Sequence, residues 1–378
     1  MKYAGILLAL LLLLGGCAAS PAETVPSTQA ATTIPATVPP TTVPPDPVAE
    51  LLAAMTAAEK VGQLFLARCP DVDAIADIGA YHLGGYLLFG RDFQNQTPDS
   101  FRETLASYQA ASDIPMLIAV DEEGGTVTRA SSRETFRYAP FPSPRSLYES
   151  DGLPMVLSIE SEKAWFLSDL GINVNMAPVC DVTTRRDSFM YRRSLGQSPE
   201  ITGEFVAGAV ERMTKFQVGS VLKHFPGYGN NADTHTGMAV DERSLKELEG
   251  CDLVPFAAGI EAGCGAILVS HTIVTAFDDA LPASLSPAVH GYLRETMGFD
   301  GVIVTDDLVM GAITEAYGAG EAAVLAVLAG NDLLCSTEYR TQYQAVLEAV
   351  QSGRITTETL DEAVTRVLRW KQALGLIQ

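Results

Sequence analysis

Seven short apolar runs recur along this chain, and nearly all of them stop at polar residues. They are Gly85–Phe89, Met116–Val120, Ile172–Met176, Gly219–Leu222, Ala266–Val269, Val302–Val304 and Asp332–Cys335. Runs of this length and mainly apolar character suit parallel strands buried on both faces. Between them lie longer stretches of helical periodicity, among them Phe101–Ala111, Met155–Leu170, Pro199–Phe216 and Gly320–Ala329. Thr56 and Glu59 have capping-box spacing, and Val61, Leu64 and Phe65 follow at helical intervals. The last periodic segment, Thr359–Leu374, sets Leu360, Val364, Val367, Leu368 and Lys371 on one stripe and stops at Gly375. The alternation predicts an α/β fold, a single (β/α)8 TIM-type barrel, with Leu64–Ala67 able to supply the eighth strand. A doubly wound open sheet shares this periodicity. The polar strand ends favour the barrel. Asp121-Glu122-Glu123, Asn175 then Asp181, Lys223-His224, Ser270-His271 and Thr305-Asp306-Asp307 would ring one mouth. In such barrels that C-terminal face carries the active site.

The strand end at Lys223 opens the densest chemical segment. Residues 223–235 read Lys-His-Phe-Pro-Gly-Tyr-Gly-Asn-Asn-Ala-Asp-Thr-His and hold two of the five histidines, His224 and His235. Neither a core helix nor a core strand wants that mixture, so a bent catalytic loop is expected. Asp233 stands two residues from His235 and can orient its imidazole, as in a catalytic dyad. A surface turn with a capping aspartate is the plainer alternative. Asp306 follows Gly301-Val302-Ile303-Val304-Thr305 directly, a rigid position that suits a nucleophile. Its neighbour Asp307 should point the other way, and a strand-end Asp also serves as the N-cap of a following helix. Two adjacent aspartates allow both roles. In Asp121–Arg129 a pair of glycines implies a tight turn, after which Asp121 and Arg129 could bracket a polyhydroxylated ligand. Glu122 and Glu123 fit structural pairing with a nearby Arg or Lys equally well. Arg192-Arg193-Ser194 is a further candidate for the rim, or a solvated charge run.

The net charge of −21 argues against nucleic acid and against wide contact with an anionic membrane. Phosphate-loop, Rossmann, G-x-S-x-G and H-E-x-x-H motifs are missing. His82 and His290 are isolated. Cys69, Cys180, Cys251, Cys264 and Cys335 form no Cys-x-x-Cys pair, so neither a disulfide framework nor a zinc site is indicated. Residues 1–16 read as a signal peptide. The apolar run Ile6–Leu14 falls short of the roughly 20 residues a membrane span needs. It ends Leu14-Gly15-Gly16-Cys17, which resembles a bacterial lipobox, with Cys17 carrying the lipid. An ordinary secretory signal is the alternative. Residues 17–47, rich in Ala, Thr and Pro, read as a disordered tether to a barrel domain at 48–378. The expected location is extracytoplasmic, on the bacterial cell membrane, held by the lipid anchor only.

Together these motifs resemble glycoside hydrolase family 3, in its β-N-acetylglucosaminidase branch. Lys223–His235 looks like K-H-F-P-G-[HY]-G…D-[ST]-H, and Asp121–Arg129 looks like D-x-E-G-G-x-V-x-R. Gly171–Val182 resembles G-I-N-x-N-x-A-P-V-x-D-V, Arg193–Gly196 resembles R-S-[FL]-G, and Val304–Leu308 resembles the nucleophile strand. The likeness runs in order over residues 48–378. It implies Asp306 as nucleophile, His235 as general acid/base partnered by Asp233, and Asp121, Arg129, Arg193, Lys223 and His224 as sugar-binding residues. The implied reaction is retaining hydrolysis of a terminal β-linked N-acetylhexosamine, without metal or organic cofactor; peptidoglycan fragments fit the location. A glycoside phosphorylase on the same scaffold and a catalytically inactive sugar-binding lipoprotein are the alternatives. Three positions depart from the family pattern. Tyr228 stands where His is frequent, Thr126 where Arg is frequent, and Asn230-Asn231-Ala232 is one residue short. Many glucoside-acting members carry a second α/β domain. The end at Gln378, just after a barrel-closing helix, favours the single-domain type.

Overall fold

A computed structural model describes residues 46–229 and 239–378. The expected signal peptide, Cys17 and the tether up to residue 45 lie outside the described residues, as do Asp233 and His235. The strands are β1 (Phe65–Arg68), β2 (Gly85–Leu88), β3 (Leu117–Val120), β4 (Val174–Asn175), β5 (Gly219–Phe225), β6 (Val240–Asp241), β7 (Ala266–Val269), β8 (Ile273–Val274), β9 (Val302–Thr305) and β10 (Leu334–Ser336).

Eight of these strands form one parallel sheet in the order β10-β1-β2-β3-β4-β5-β7-β9. A parallel bridge between Val304 and Leu333 joins its two ends. The Thr305 N–H donates to Leu333 O at 3.1 Å, and the Leu333 N–H donates to Ile303 O at 3.1 Å. The sheet therefore closes on itself, which excludes the open doubly wound alternative. The eighth strand runs one residue later than Leu64–Ala67. The two-residue strands β6 and β8 pair with each other in the loops that follow β5 and β7.

Alternation along the barrel strands sorts the core into an inner and an outer layer. Leu66, Leu117, Val174, Val221, Ala266 and Val302 pack inward on one another, and Leu374 together with Val367 and Trp370 of the last helix joins them. That helix, Thr357–Ala373, is capped by the Thr356 side chain and plugs the barrel floor. Trp370 lies so close to β5 and β7 that a Cβ on Gly265 would sit 2.0 Å from its Nε1. Outward-facing residues such as Phe65, Ile118 and Ile303 pack under the surrounding helices.

The helix expected from Met155 instead spans Pro144–Asp169, because Ser143 caps an earlier start. Its path breaks at Asp151 and Gly152, just before Pro154. The periodicity from Met155 belongs to its second half. The first helix among the described residues, Pro47–Ala54, is capped by Asp46, whose carboxylate also pairs with Arg369 of the last helix. The start of the domain is thereby tied to its end.

Candidate active site

A cavity of about 570 Å³ opens at the C-terminal ends of the barrel strands. At β3 the strand alternation divides three consecutive acids between two tasks. Glu122 turns away into the protein and is fully buried. Its carboxylate accepts the N–H groups of Arg129 at 3.0 Å, Ala130 at 2.9 Å and Ser131 at 3.3 Å. Burial still pushes its pKa up against those donors. Glu122 thus pins the returning loop and delivers Arg129 to the mouth. Asp121 and Glu123 face the cavity. Lys223 Nζ stands 2.7 Å from an oxygen of each. Arg193 grips Glu123 through two nitrogens, at 2.7 and 2.9 Å. Burial opposes the Glu123 charge, but Lys223 and Arg193 outweigh it and hold the carboxyl far below its usual range. Burial likewise opposes the Lys223 charge, and Asp121 and Glu123 overcome it, raising its pKa.

Lys223 and His224 are consecutive yet both line the cavity. The pairing of β5 with β7 shifts register between Leu222 and Phe225, which breaks the usual alternation. His224 Nε2 lies 3.0 Å from Arg193 Nη2. A guanidinium only donates, so Nε2 accepts and the proton sits on Nδ1. Nδ1 donates to Asp181 Oδ2 at 2.8 Å. The other Asp181 oxygen accepts the Tyr228 N–H at 2.8 Å. Burial works against the Asp181 charge, but His224 and the Tyr228 N–H prevail and keep its pKa low. Asp181 fixes the imidazole's orientation and tautomer, as an outer carboxylate does behind a catalytic or ligating histidine.

Tyr228 packs edge-on against His224, ring centroids 5.0 Å apart. Beyond it, Gly229 adopts φ 56°, and a Cβ there would come within 2.4 Å of the Arg243 guanidinium. Arg243 bridges the buried Asp241 and Asp252 at 2.7 and 2.5 Å. Gly229, the last described residue before Asp233 and His235, therefore sits on a charge-clamped base; those two residues lie outside the described ones.

At β9 the Asp306 N–H donates to Val269 O at 3.1 Å, and Asp306 Oδ1 accepts the Asp307 N–H at 2.9 Å. Asp306 lines the cavity. Asp307 does not cap a helix. The next helix, Gly311–Tyr317, starts after Met310 without a side-chain cap. Asp307 instead accepts the Thr337 hydroxyl at 2.6 Å and the Thr337 N–H at 3.2 Å. It fastens the loop after β9 to the loop after β10. His271 Nε2 donates to Asp307 O at 3.1 Å, which steadies the same turn.

Of the expected binding residues, Asp121, Arg129, Arg193, Lys223 and His224 all line one cavity with Asp306. Arg192 points to solvent while Arg193 turns inward. Glu123 and Asp181 carry the network, and neither was assigned a binding role from the sequence. Strand-end alternation could have picked out Glu123, since it shares a face with Asp121. No local signal pairs Asp181 with a histidine 43 positions away. Among the described residues no group of three or more His, Cys, Asp or Glu could hold a metal ion, and Cys69, Cys180, Cys251, Cys264 and Cys335 are free thiols.

A closed parallel barrel with a strand-end carboxylate facing a charge-paired cavity is the plan of a barrel hydrolase. The chain belongs to glycosyl hydrolase family 3, whose N terminal domain matches residues 56–370. It is 30% identical over 335 residues to the beta-hexosaminidase LpqI of Mycobacterium tuberculosis, an alignment covering 85% of this chain and 84% of that protein. It is 33% identical over 303 residues to a beta-hexosaminidase of Stenotrophomonas maltophilia, covering 78% of this chain and 88% of that one. Its fold is similar to that of a family 3 beta-N-acetylglucosaminidase from Paenibacillus sp. str. FPU-7, with a TM-score of 0.80 and 34% identity. That match covers 85% of this chain and 63% of the Paenibacillus chain.

Proposed function

We propose that this glycoside hydrolase removes terminal β-linked N-acetylhexosamine with retention of configuration, through a covalent glycosyl-Asp306 intermediate. Asp306 attacks the anomeric carbon as His235, oriented by Asp233, protonates the departing oxygen. His235 then takes a proton from water, which displaces Asp306 from the sugar. Retaining glycosidases commonly use two carboxylates about 5–5.5 Å apart; here a histidine takes the acid/base role.

The observation that carries this reading is the position of Asp306. It sits on a strand end, tied to Val269 and Asp307, in the same cavity as the Asp121–Lys223–Glu123–Arg193–His224 network. That network is charge-paired, so it suits a neutral ligand rich in hydroxyl groups, with Asp121, Arg129, Arg193, Lys223 and His224 as its partners. The choice of N-acetylhexosamine rests on the likeness to beta-hexosaminidases. Turnover of nitrophenyl β-N-acetylglucosaminide should exceed that of the β-glucoside by about 100-fold or more, because a site built around a polar group rejects the analogue lacking it. Equal kcat/KM for the two, or preference for the glucoside, would remove the N-acetylhexosamine assignment.

Anchoring through Cys17, with the residues that follow it as a tether ending before the helix cap at Asp46, would hold the barrel outside the cytoplasm and near cell-wall fragments. Metabolic labelling with a palmitate analogue should mark the wild-type protein and not Cys17→Ala; labelling that survives the substitution overturns the anchor.

A further inference from the structure

Among the described residues, Arg68 is the cation of the cavity that has no anion beside it. It ends β1, and β1 stands four strands from β5 in the eight-strand ring, so it faces the Lys223–His224 wall from across the barrel. On that far wall each cation has its carboxylate: Lys223 has Asp121 and Glu123, and Arg193 has Glu123. Arg68 has neither a hydrogen bond nor an ion pair among the described residues, and its buried Nε lacks an acceptor. Asp92 lies within electrostatic range. Its carboxylate, however, accepts the Phe89 N–H at 2.6 Å and meets Arg91 Nε at 3.7 Å.

Arg68 is nonetheless held in place. Its guanidinium carbon stacks 4.4 Å from the Phe89 ring centroid, and Arg129 approaches the same ring at 5.6 Å. The buried Nε of Arg129 also lacks an acceptor, and its contact with Asp121 is a long 3.5 Å. Two guanidinium groups share one aromatic platform, each has an unused donor, and each is a planar fork of the kind suited to a carboxylate. Asp306 follows β9, which stands two places from β1 in the closed ring, so a sugar seated on the Lys223–His224 wall with its anomeric carbon at Asp306 would extend its leaving group toward Arg68.

We infer that Arg68, backed by Phe89, recognises a carboxylate carried by the leaving group. The inference rests on the glycosidase reading above and adds a specificity determinant to it. The test uses two aryl β-N-acetylglucosaminides that differ only in a carboxylate or a carboxamide at the same ring position. Wild-type kcat/KM should favour the carboxylate by about tenfold or more, the size of a charge-assisted pair. That ratio should fall as salt is raised. Arg68→Gln should bring the ratio to about one, and Arg68→Lys should retain part of it. Both substrates are read on the same preparation, so a partly folded variant leaves the ratio meaningful. A wild-type ratio near one, or a ratio that survives in Arg68→Gln, overturns the inference. Acceleration of carboxamide turnover by inorganic phosphate in wild type but not in Arg68→Gln would also overturn it, because the guanidinium would then serve a free oxyanion. If neither glycoside is cleaved, calorimetric titration of the same pair gives the ratio of Kd values. The glycosidase reading then fails separately from the role of Arg68.

Discussion

Asp306→Asn should lower kcat for aryl β-N-acetylglucosaminides by about 10⁴-fold or more, the scale on which loss of a nucleophile acts. Asparagine has the shape of aspartate and keeps an oxygen for the Asp307 N–H that Asp306 Oδ1 now accepts at 2.9 Å. The backbone tie from Asp306 N to Val269 O does not involve the side chain. The variant should therefore unfold within a few degrees of wild type. Added azide should restore part of the lost rate and give the inverted α-glycosyl azide, because a small anion can occupy the space the carboxylate leaves. A variant that keeps more than a tenth of wild-type kcat moves the nucleophile's role to another group.

Glu123→Gln should cost about 3–5 kcal/mol of stability, the usual price of leaving a buried charge unpaired. Gln fits the space but strands Arg193, whose guanidinium makes two hydrogen bonds to Glu123, and leaves Lys223 with Asp121 alone. Substrate affinity should fall as well, since Arg193 also steadies His224. The pH dependence has a fixed sign. The folded-state pKa of Glu123 lies below its unfolded value, with burial opposing and Lys223 and Arg193 dominating. Its contribution is complete above an unfolded glutamate's pKa, about 4.3, and is lost as pH falls through the lower folded value. The stability gap between wild type and Glu123→Gln should therefore be widest near neutrality and shrink below about pH 4. Urea unfolding across that range measures it. A gap under about 1 kcal/mol, the level of an exposed pair, would demote the network to a surface feature.

The barrel was readable because its strands are short and mainly apolar, and burial on both faces leaves that mark in a sequence. The β6–β8 pair left no such mark: two residues cannot establish a period. The early start of the helix at Pro144 was hidden by the break at Asp151 and Gly152. Within the site, residues at strand ends could be found because one closed sheet brings every C-terminal end to the same face. What joins them could not. Glu122 reaches seven to nine residues along to hold a loop, and Lys223 reaches back 102 residues to Asp121. The tie from Asp307 to Thr337 left no mark, because Thr337 arrives from the loop after the next strand of the closed ring. Arg68 leaves no sequence signal for the opposite reason: what distinguishes it is that no partner stands beside it among the described residues, which only a folded cavity reveals.

The central claim is that Asp306 becomes covalently glycosylated. It is tested most directly by reacting the full chain with a slowly hydrolysed fluorinated N-acetylglucosaminyl donor and mapping the adduct by peptide mass spectrometry. Catalysis through Asp306 predicts one sugar per chain, on the peptide containing Asp306 and absent in Asp306→Asn. A sugar on any other residue, or steady turnover with an α-configured first product and no adduct, would contradict it.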